Sequence, residues 1–325
     1  MESDIEASLN LGQPFALCFI DNRLSLFNPN GNDLISAAGH RWWAVPFSTK
    51  KRETVAASTD KESYLIGLNK TIEALRNNQL KKVVISRTYT ESLTVSSFNT
   101  FLFRLLDSLN KKYPSAFVFA HCAEVGKIWV GATPEILLKS KAGDMSTVAL
   151  AGTRKHAPHQ APWGHKEQRE QQNVVDFIQG LLDSTKVKEL VISKPYTAAA
   201  GHIEHIKSDI RFKSDKNAKE IATVLHPTSA VCGMPRETAM NWIEQIEAHD
   251  RGYYAGAIGF YNETEFSSFV QLRCALLDVQ SKSITYYAGG GIMPDSDPEL
   301  EWIETENKIE VLRSVVKKIE QSNGI

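Results

Sequence analysis

The chain has 325 residues but only four cysteines, Cys18, Cys122, Cys232 and Cys274, widely scattered and with no C-x-x-C pair. That spacing argues against a disulfide framework and against structural zinc, and predicts reduced cysteines used for packing. An excess of one charge is also missing: 37 Lys and Arg face 38 Asp and Glu, a formal net charge of -1. Such a balance leaves no electrostatic footprint for nucleic acid or an anionic membrane, and no block of like charge suggests a binding tail. No apolar run is long enough to cross a bilayer, and the opening MESDIEASLNLGQPFALCFI carries early acids without an uninterrupted apolar stretch, so the expectation is a cytoplasmic protein. Repeats, low-complexity tracts and linkers are absent, which predicts one composite domain over residues 1–325.

Helix-like and strand-like segments are present in abundance, mixed and without strict alternation, which predicts an α+β fold. Apolar residues at helical spacing predict helices over residues 60–80, 97–112, 165–182, 217–225, 235–248 and 298–321, two of them with Pro in the first turn. Strands are predicted at 15–20, 24–27, 82–89, 116–120, 128–130, 135–138 and 148–151, and a late antiparallel series at 253–261, 268–278 and 284–288.

Two Glu-x-x-Glu pairs, Glu167 with Glu170 and Glu301 with Glu304, fall in predicted helices more than a hundred residues apart. Glutamates three apart share a helix face. One such pair alone reads as a solvated face, since Glu is a good helix former and usually exposed. Two facing pairs would converge four carboxylates, and a hard divalent cation such as Mg2+ turns their repulsion into a binding site. Lys82 opens the strand KVVISR on the side of Val84 and Ser86; desolvated, it becomes a general base, and solvated it does not. Glu135, in GATPEILL, is either a solvated strand end or a carboxyl held in a cleft to donate a proton. Arg273, in VQLRCALL, sits among apolar residues and needs an anionic partner, internal or bound. The run Gly289-Gly290-Gly291 has no following G-K-[ST], so a nucleotide loop is not supported and a tight turn is the default. His202 and His205, three apart on an extended strand, face opposite ways and make no zinc site. Lys308, four residues after Glu304, is placed for a helix salt bridge.

The segments KVVISR, GATPEILL, LAGTR, KEQREQ, HIKS, LHPTSAVCGMPRE, DRGYYAGAIGFY, LRCA, YYAGGGI and SDPELEWIETENK occur in the order and approximate spacing of the chorismate-utilising enzymes, and the chain resembles that family over about residues 60–320. The resemblance implies a single domain of two large antiparallel sheets sandwiched with helices outside, with residues 1–59 as a short N-terminal strand region. Within the family LHPTSAVCGMP is most similar to the isochorismate synthases, and Lys82 matches the position where water-using members carry lysine and ammonia-using members glutamine. The implied activity is Mg2+-dependent conversion of chorismate to isochorismate, with Lys82 as base and Glu135 as acid. Glu170 and Glu304, supported by Glu167 and Glu301, match the metal positions. Arg273 and Tyr254 match groups for the enolpyruvyl carboxylate, and Gly152, Thr153, His205, Ala230, Val231, Gly289 and Lys308 match further substrate contacts. The partner implied is a small molecule, with no glutaminase subunit and nothing demanding more than a monomer. Gln171, Ser229 and Met234 depart from the family pattern without removing a catalytic group. The alternatives are a salicylate synthase, which goes on to eliminate pyruvate, and a non-catalytic metabolite-binding relative. Menaquinone, siderophore and salicylate synthesis are all possible destinations for the product.

Overall fold

The computed structural model describes residues 11–48, 58–155, 161–200 and 203–322. In chain order these form β1 (Phe15–Ile20), β2 (Arg23–Asn30), β3 (Asp33–Ser36), β4 (Arg41–Val45), α1 (Lys61–Arg76), β5 (Lys82–Ser92), α2 (Phe98–Lys112), β6 (Phe117–Glu124) and β7 (Lys127–Thr133). Next come β8 (Ile136–Lys141), β9 (Asp144–Lys155), α3 (His165–Ser184), β10 (Lys188–Ile192), β11 (Tyr196–Ala200), β12 (Ile203–Lys213) and α4 (Ala218–Leu225). The rest are β13 (Gly233–Met234), α5 (Arg236–Ile246), β14 (Ala257–Tyr261), β15 (Glu265–Val270), β16 (Cys274–Asp278), β17 (Ser283–Ile292) and α6 (Pro298–Ser322).

Two compact units contain these elements. The first takes in the described residues up to Glu135, Val231–Phe260 and those from Phe269 onward; the second takes in Ile136–Ala230 and Tyr261–Ser268. In the first, antiparallel pairings run from β14 through β4, β3, β2, β1, β6, β7, β16, β17 and β5 to β13. In the second, β15, β8, β9 and β12 follow one another, with β10 and β11 both on the far edge of β12.

The expectation of two separate sheets is overturned here. All seventeen described strands belong to a single hydrogen-bonded antiparallel sheet with helices packed around it. Short strands that the sequence pattern does not reveal, such as β3, β4 and β13, are part of it. A break would instead leave a row of unpaired N–H and C=O groups along an edge. The α+β character holds.

Helix starts follow local chemistry. Asp60 accepts the Ser63 amide at 2.8 Å ahead of α1, and Asn217 and Glu220 form a reciprocal capping box for α4. Asp297 accepts the Glu299 and Leu300 amides at 2.8 and 3.1 Å, which fixes where α6 begins and so where Glu301 and Glu304 fall. The core of the first unit packs the apolar stripe of α2 (Phe101, Leu102, Leu105, Leu106, Leu109) and that of α6 (Ile309, Leu312, Val315, Val316, Ile319) with buried residues of β6, β7, β16 and β17. In the second, α3 lies on β9 with Gln171 buried, its amide donating to Ala149 O at 3.1 Å and Ser208 Oγ at 3.2 Å. All four cysteines are buried and unpaired, as their spacing predicted.

Several segments differ from the sequence reading. Residues 188–200 form β10 and β11, missed because much of both is exposed, while β12 (Ile203–Lys213) takes in and extends the strand read around His205. The strand expected over 253–261 starts only at Ala257, after a turn in which Ala255 has φ 58°. The strand expected over 268–278 is broken: β15 ends at Val270 and β16 begins at Cys274, with Arg273 between them at φ 48°.

Candidate active site

The three consecutive glycines lie inside β17, opposite Ser86, Ile85 and Val84 of β5, and not in the turn expected from their sequence. A β-carbon on Gly289 would stand 3.0 Å from Tyr254 Oη. On Gly290 it would stand 2.7 Å from Glu301 Oε2 and 4.0 Å from Glu304 Oε1, and on Gly291 3.1 Å from Lys82 Cε and 3.7 Å from Lys82 Nζ. Each missing side chain is therefore space used by a candidate functional group. β17 pairs with β16 only as far as Tyr286, so from Tyr287 onward that edge is not covered by β16 and other groups reach its backbone. Lys308 Nζ donates to Gly289 O at 2.7 Å and pairs with Glu304 Oε1 at 2.5 Å, the i,i+4 bridge the spacing predicted.

Lys82 is half-buried at the start of β5, opposite Met234. Glu135 is half-buried in the link from β7 to β8, its carbonyl accepting the Val270 amide at 2.9 Å and its own N–H donating to Thr133 Oγ1 at 3.4 Å. Burial pushes the Glu135 carboxyl above its ordinary 4.5, while the charges of Arg273 and Lys82 pull it the other way. Three candidate groups thus share one electrostatic neighbourhood, and the acid is biased toward keeping its proton. Arg273 is half-buried, with its carbonyl accepting from Ala132 N at 3.2 Å. Tyr254 is buried, its ring stacked on Tyr287 at 5.5 Å, and burial pushes its phenol up so that the hydroxyl stays a donor.

Glu301 is half-buried and accepts from Ser296 Oγ at 2.7 Å. Burial pushes its carboxyl up, as do Glu304 and Asp297, against the opposing effects of Ser296 and Lys308. Two carboxylates close to the space that a β-carbon of Gly290 would fill, with the charge of one disfavoured, are a donor set that suits a hard cation. Among the described residues no three or more His, Cys, Asp or Glu side chains gather as a metal-holding group.

In the second unit, Gly152 has φ 61° where β9 and β12 slip register between Glu204 and Ile206. His205 Nδ1 donates to Gly152 O at 2.9 Å. Thr153 follows in β9. Glu167 is the third residue of α3 and folds back on the helix start, its Oε2 2.6 Å from where a β-carbon of Gly164 would project. Glu170, half-buried, is one turn on. Ala230 is half-buried at the end of this unit; Val231, buried in the first, accepts from Arg251 Nη1 through its carbonyl at 2.8 Å. His202 lies outside the described residues. A concavity of about 750 Å³ in this unit contains none of the candidate residues, and ion pairs Lys141–Glu265 and Lys213–Glu189 balance charges along it.

Sequence reasoning missed two buried ionic arrangements in the first unit. Arg87, 1% exposed, donates through Nε to Thr305 Oγ1 at 2.7 Å, pairs with Glu306, and lies 3.8 Å over the Trp302 ring, so it holds α6 on β5. Glu247 and Arg251 form a buried pair joined to Ser86 and His249. The signal for the second was an acid four residues before an arginine in EAHDRG, which reads equally well as a solvated turn.

The family model described as chorismate binding enzyme matches residues 43–317. Anthranilate synthase component 1 of Saccharolobus solfataricus is 30% identical over 80% of this chain and 63% of its own length. Isochorismate synthase 2, chloroplastic, of Arabidopsis thaliana is 32% identical over 76% of this chain and 46% of its own. The chain thus spans roughly half to under two thirds of these curated relatives. The solved structure of MenF, the menaquinone-specific isochorismate synthase of Escherichia coli, superposes with a TM-score of 0.79 at 20% identity, covering 94% of this chain and 89% of that one, a likeness of fold.

Proposed function

The chain belongs to the chorismate-binding enzyme family, and from that premise we propose that it is an isochorismate synthase, converting chorismate to isochorismate with Mg2+. The observation that carries the reading is the grouping of Lys82, Glu135 and Arg273: an amine, a carboxyl raised by burial, and a guanidinium within electrostatic reach of it. Lys82 takes a proton from the water that attacks the ring carbon beside the carboxylated one. Glu135 delivers its proton to the departing ring hydroxyl, so one water enters as another leaves and substrate and product are isomers. Arg273 offers a planar fork to the enolpyruvyl carboxylate, with the Tyr254 hydroxyl as a second donor.

Glu304, with Glu301 in support, is the proposed Mg2+ ligand of the first unit, and Glu170, with Glu167 in support, that of the second. A bound ion would neutralise the carboxylates that hold it and would supply positive charge for the ring carboxylate of the substrate. Gly152, Thr153, His205, Ala230, Val231, Gly289 and Lys308 are the further proposed substrate contacts. Lysine at position 82, where ammonia-using relatives carry glutamine, supports water as the nucleophile and a protein working without a glutaminase subunit. No helix among the described residues is long and apolar enough to cross a membrane; we place the protein in the cytoplasm, as one catalytic domain.

The test is incubation with chorismate and Mg2+, with and without EDTA, with products separated by chromatography and mass detection. A metal-dependent isomer of unchanged mass is expected. Salicylate and pyruvate as main products would reassign the protein as a salicylate synthase, and no turnover would leave a metabolite-binding relative.

A further inference from the structure

Where β5 runs beside residues 231–234, the backbone ladder is short. Lys81 N donates to Met234 O at 2.9 Å and Val84 N to Cys232 O at 2.8 Å. At the next step the carbonyls of Val84 and Val231 are both acceptors, and the donor to each is a side chain. Arg251 Nη2 donates to Val84 O at 2.7 Å and Nη1 to Val231 O at 2.8 Å. Glu247 holds the guanidinium through Nε to Oε2 at 2.8 Å and Nη2 to Oε1 at 2.5 Å. The same Oε1 accepts the Ser86 amide at 2.6 Å and Ser86 Oγ at 3.0 Å, and His249 Nε2 lies 3.0 Å from that Oγ. Ser86, Glu247, His249 and Arg251 are 2%, 5%, 8% and 3% exposed.

We infer that the Arg251–Glu247 pair is a side-chain rung that fixes the Val231 turn against the Lys82-bearing strand, which makes Arg251 a positioning residue for substrate binding. The inference rests on the reading of Val231 as a substrate contact. A buried ion pair is no more stabilising than well-packed apolar residues of like volume, so stability alone does not account for it. What an apolar pair cannot do is donate to two carbonyls that point together. Nor can lysine, a point charge without the rigid fork, hold both carbonyls and both carboxylate oxygens at once. Constraining the Val231 carbonyl sets the peptide plane next to the proposed Ala230 and Val231 contacts. The Ser86 amide fixes β5 opposite Gly289.

The test uses the full chain and its Arg251→Lys and Glu247→Gln variants. Steady-state kinetics with chorismate are read beside hydrogen exchange, without substrate, of peptides covering 80–88 and 228–234. Loss of these charge-assisted bonds should raise KM about tenfold while kcat changes less than about threefold, and should speed exchange in those two peptides only. Unchanged KM and exchange overturn the inference, as does a fall in kcat at constant KM. If the variants do not fold, the parent alone decides: its Ser86 amide must exchange as slowly as interior rungs of β5, and fast exchange rejects the rung. If the parent does not turn over chorismate, the functional reading fails, while the exchange measurement still tests the positioning.

Discussion

The hydroxyl oxygen of Tyr254 stands 3.0 Å from the point where a β-carbon would leave Gly289, and Ile85 O stands 2.9 Å from that same point. Gly289→Ala must therefore displace either the tyrosine or the backbone of β5. Overpacking of this kind costs about 1–3 kcal/mol, and urea unfolding should show it together with weaker substrate binding. A variant with parental stability and parental KM would mean that the glycine is not what makes room for Tyr254.

Lys82→Gln keeps a side chain of similar length over Gly291 but removes the base. Turnover of chorismate should fall by about 10²–10⁴-fold, the usual contribution of a positioned general base, with circular dichroism unchanged. Activity within about twofold of the parent would remove Lys82 from that role.

Glu135 binds its proton more tightly in the folded protein than in the unfolded chain, because burial raises its carboxyl above 4.5. Its favourable contribution is complete at pH below the unfolded value and is lost as pH rises through the native one. Glu135→Gln has no such proton to lose. Between about pH 4 and about pH 7 the stability difference should move in the variant's favour, while chorismate turnover is abolished. Urea titrations at both pH values check this, and a difference that stays constant would contradict the buried acid.

Glu304→Gln should eliminate Mg2+ binding measured by calorimetry without substrate, while the unfolding midpoint moves little, since the Lys308 partnership it weakens is half exposed. Parental Mg2+ affinity would remove Glu304 from the metal site.

Thr305→Val takes from the buried Arg87 the hydroxyl that accepts its Nε at 2.7 Å. An unsatisfied buried donor costs about 1–3 kcal/mol, which urea unfolding should register. No change would mean that the guanidinium has found another acceptor.

The helices were legible from the chain alone, because their apolar spacing and caps at Asp60, Ser97 and Asn217 are local physics. It determined the family through motifs whose order survives translation into any conformation, and it marked Lys82, Glu135 and the paired glutamates as chemistry in search of a place. That place was set by folding. Periodicity says nothing about which strands pair at long range, so the single sheet, the exposed strands β10 and β11 and the two-residue β13 were illegible. The glycine run could not be read as a strand, because the reason for it is the arrival of Tyr254, Glu301 and Lys82 from distant segments. Glu247 and Arg251 carry formal charge that composition assigns to the surface; their burial depends on two carbonyls, of Val84 and Val231, that converge only once the chain has folded.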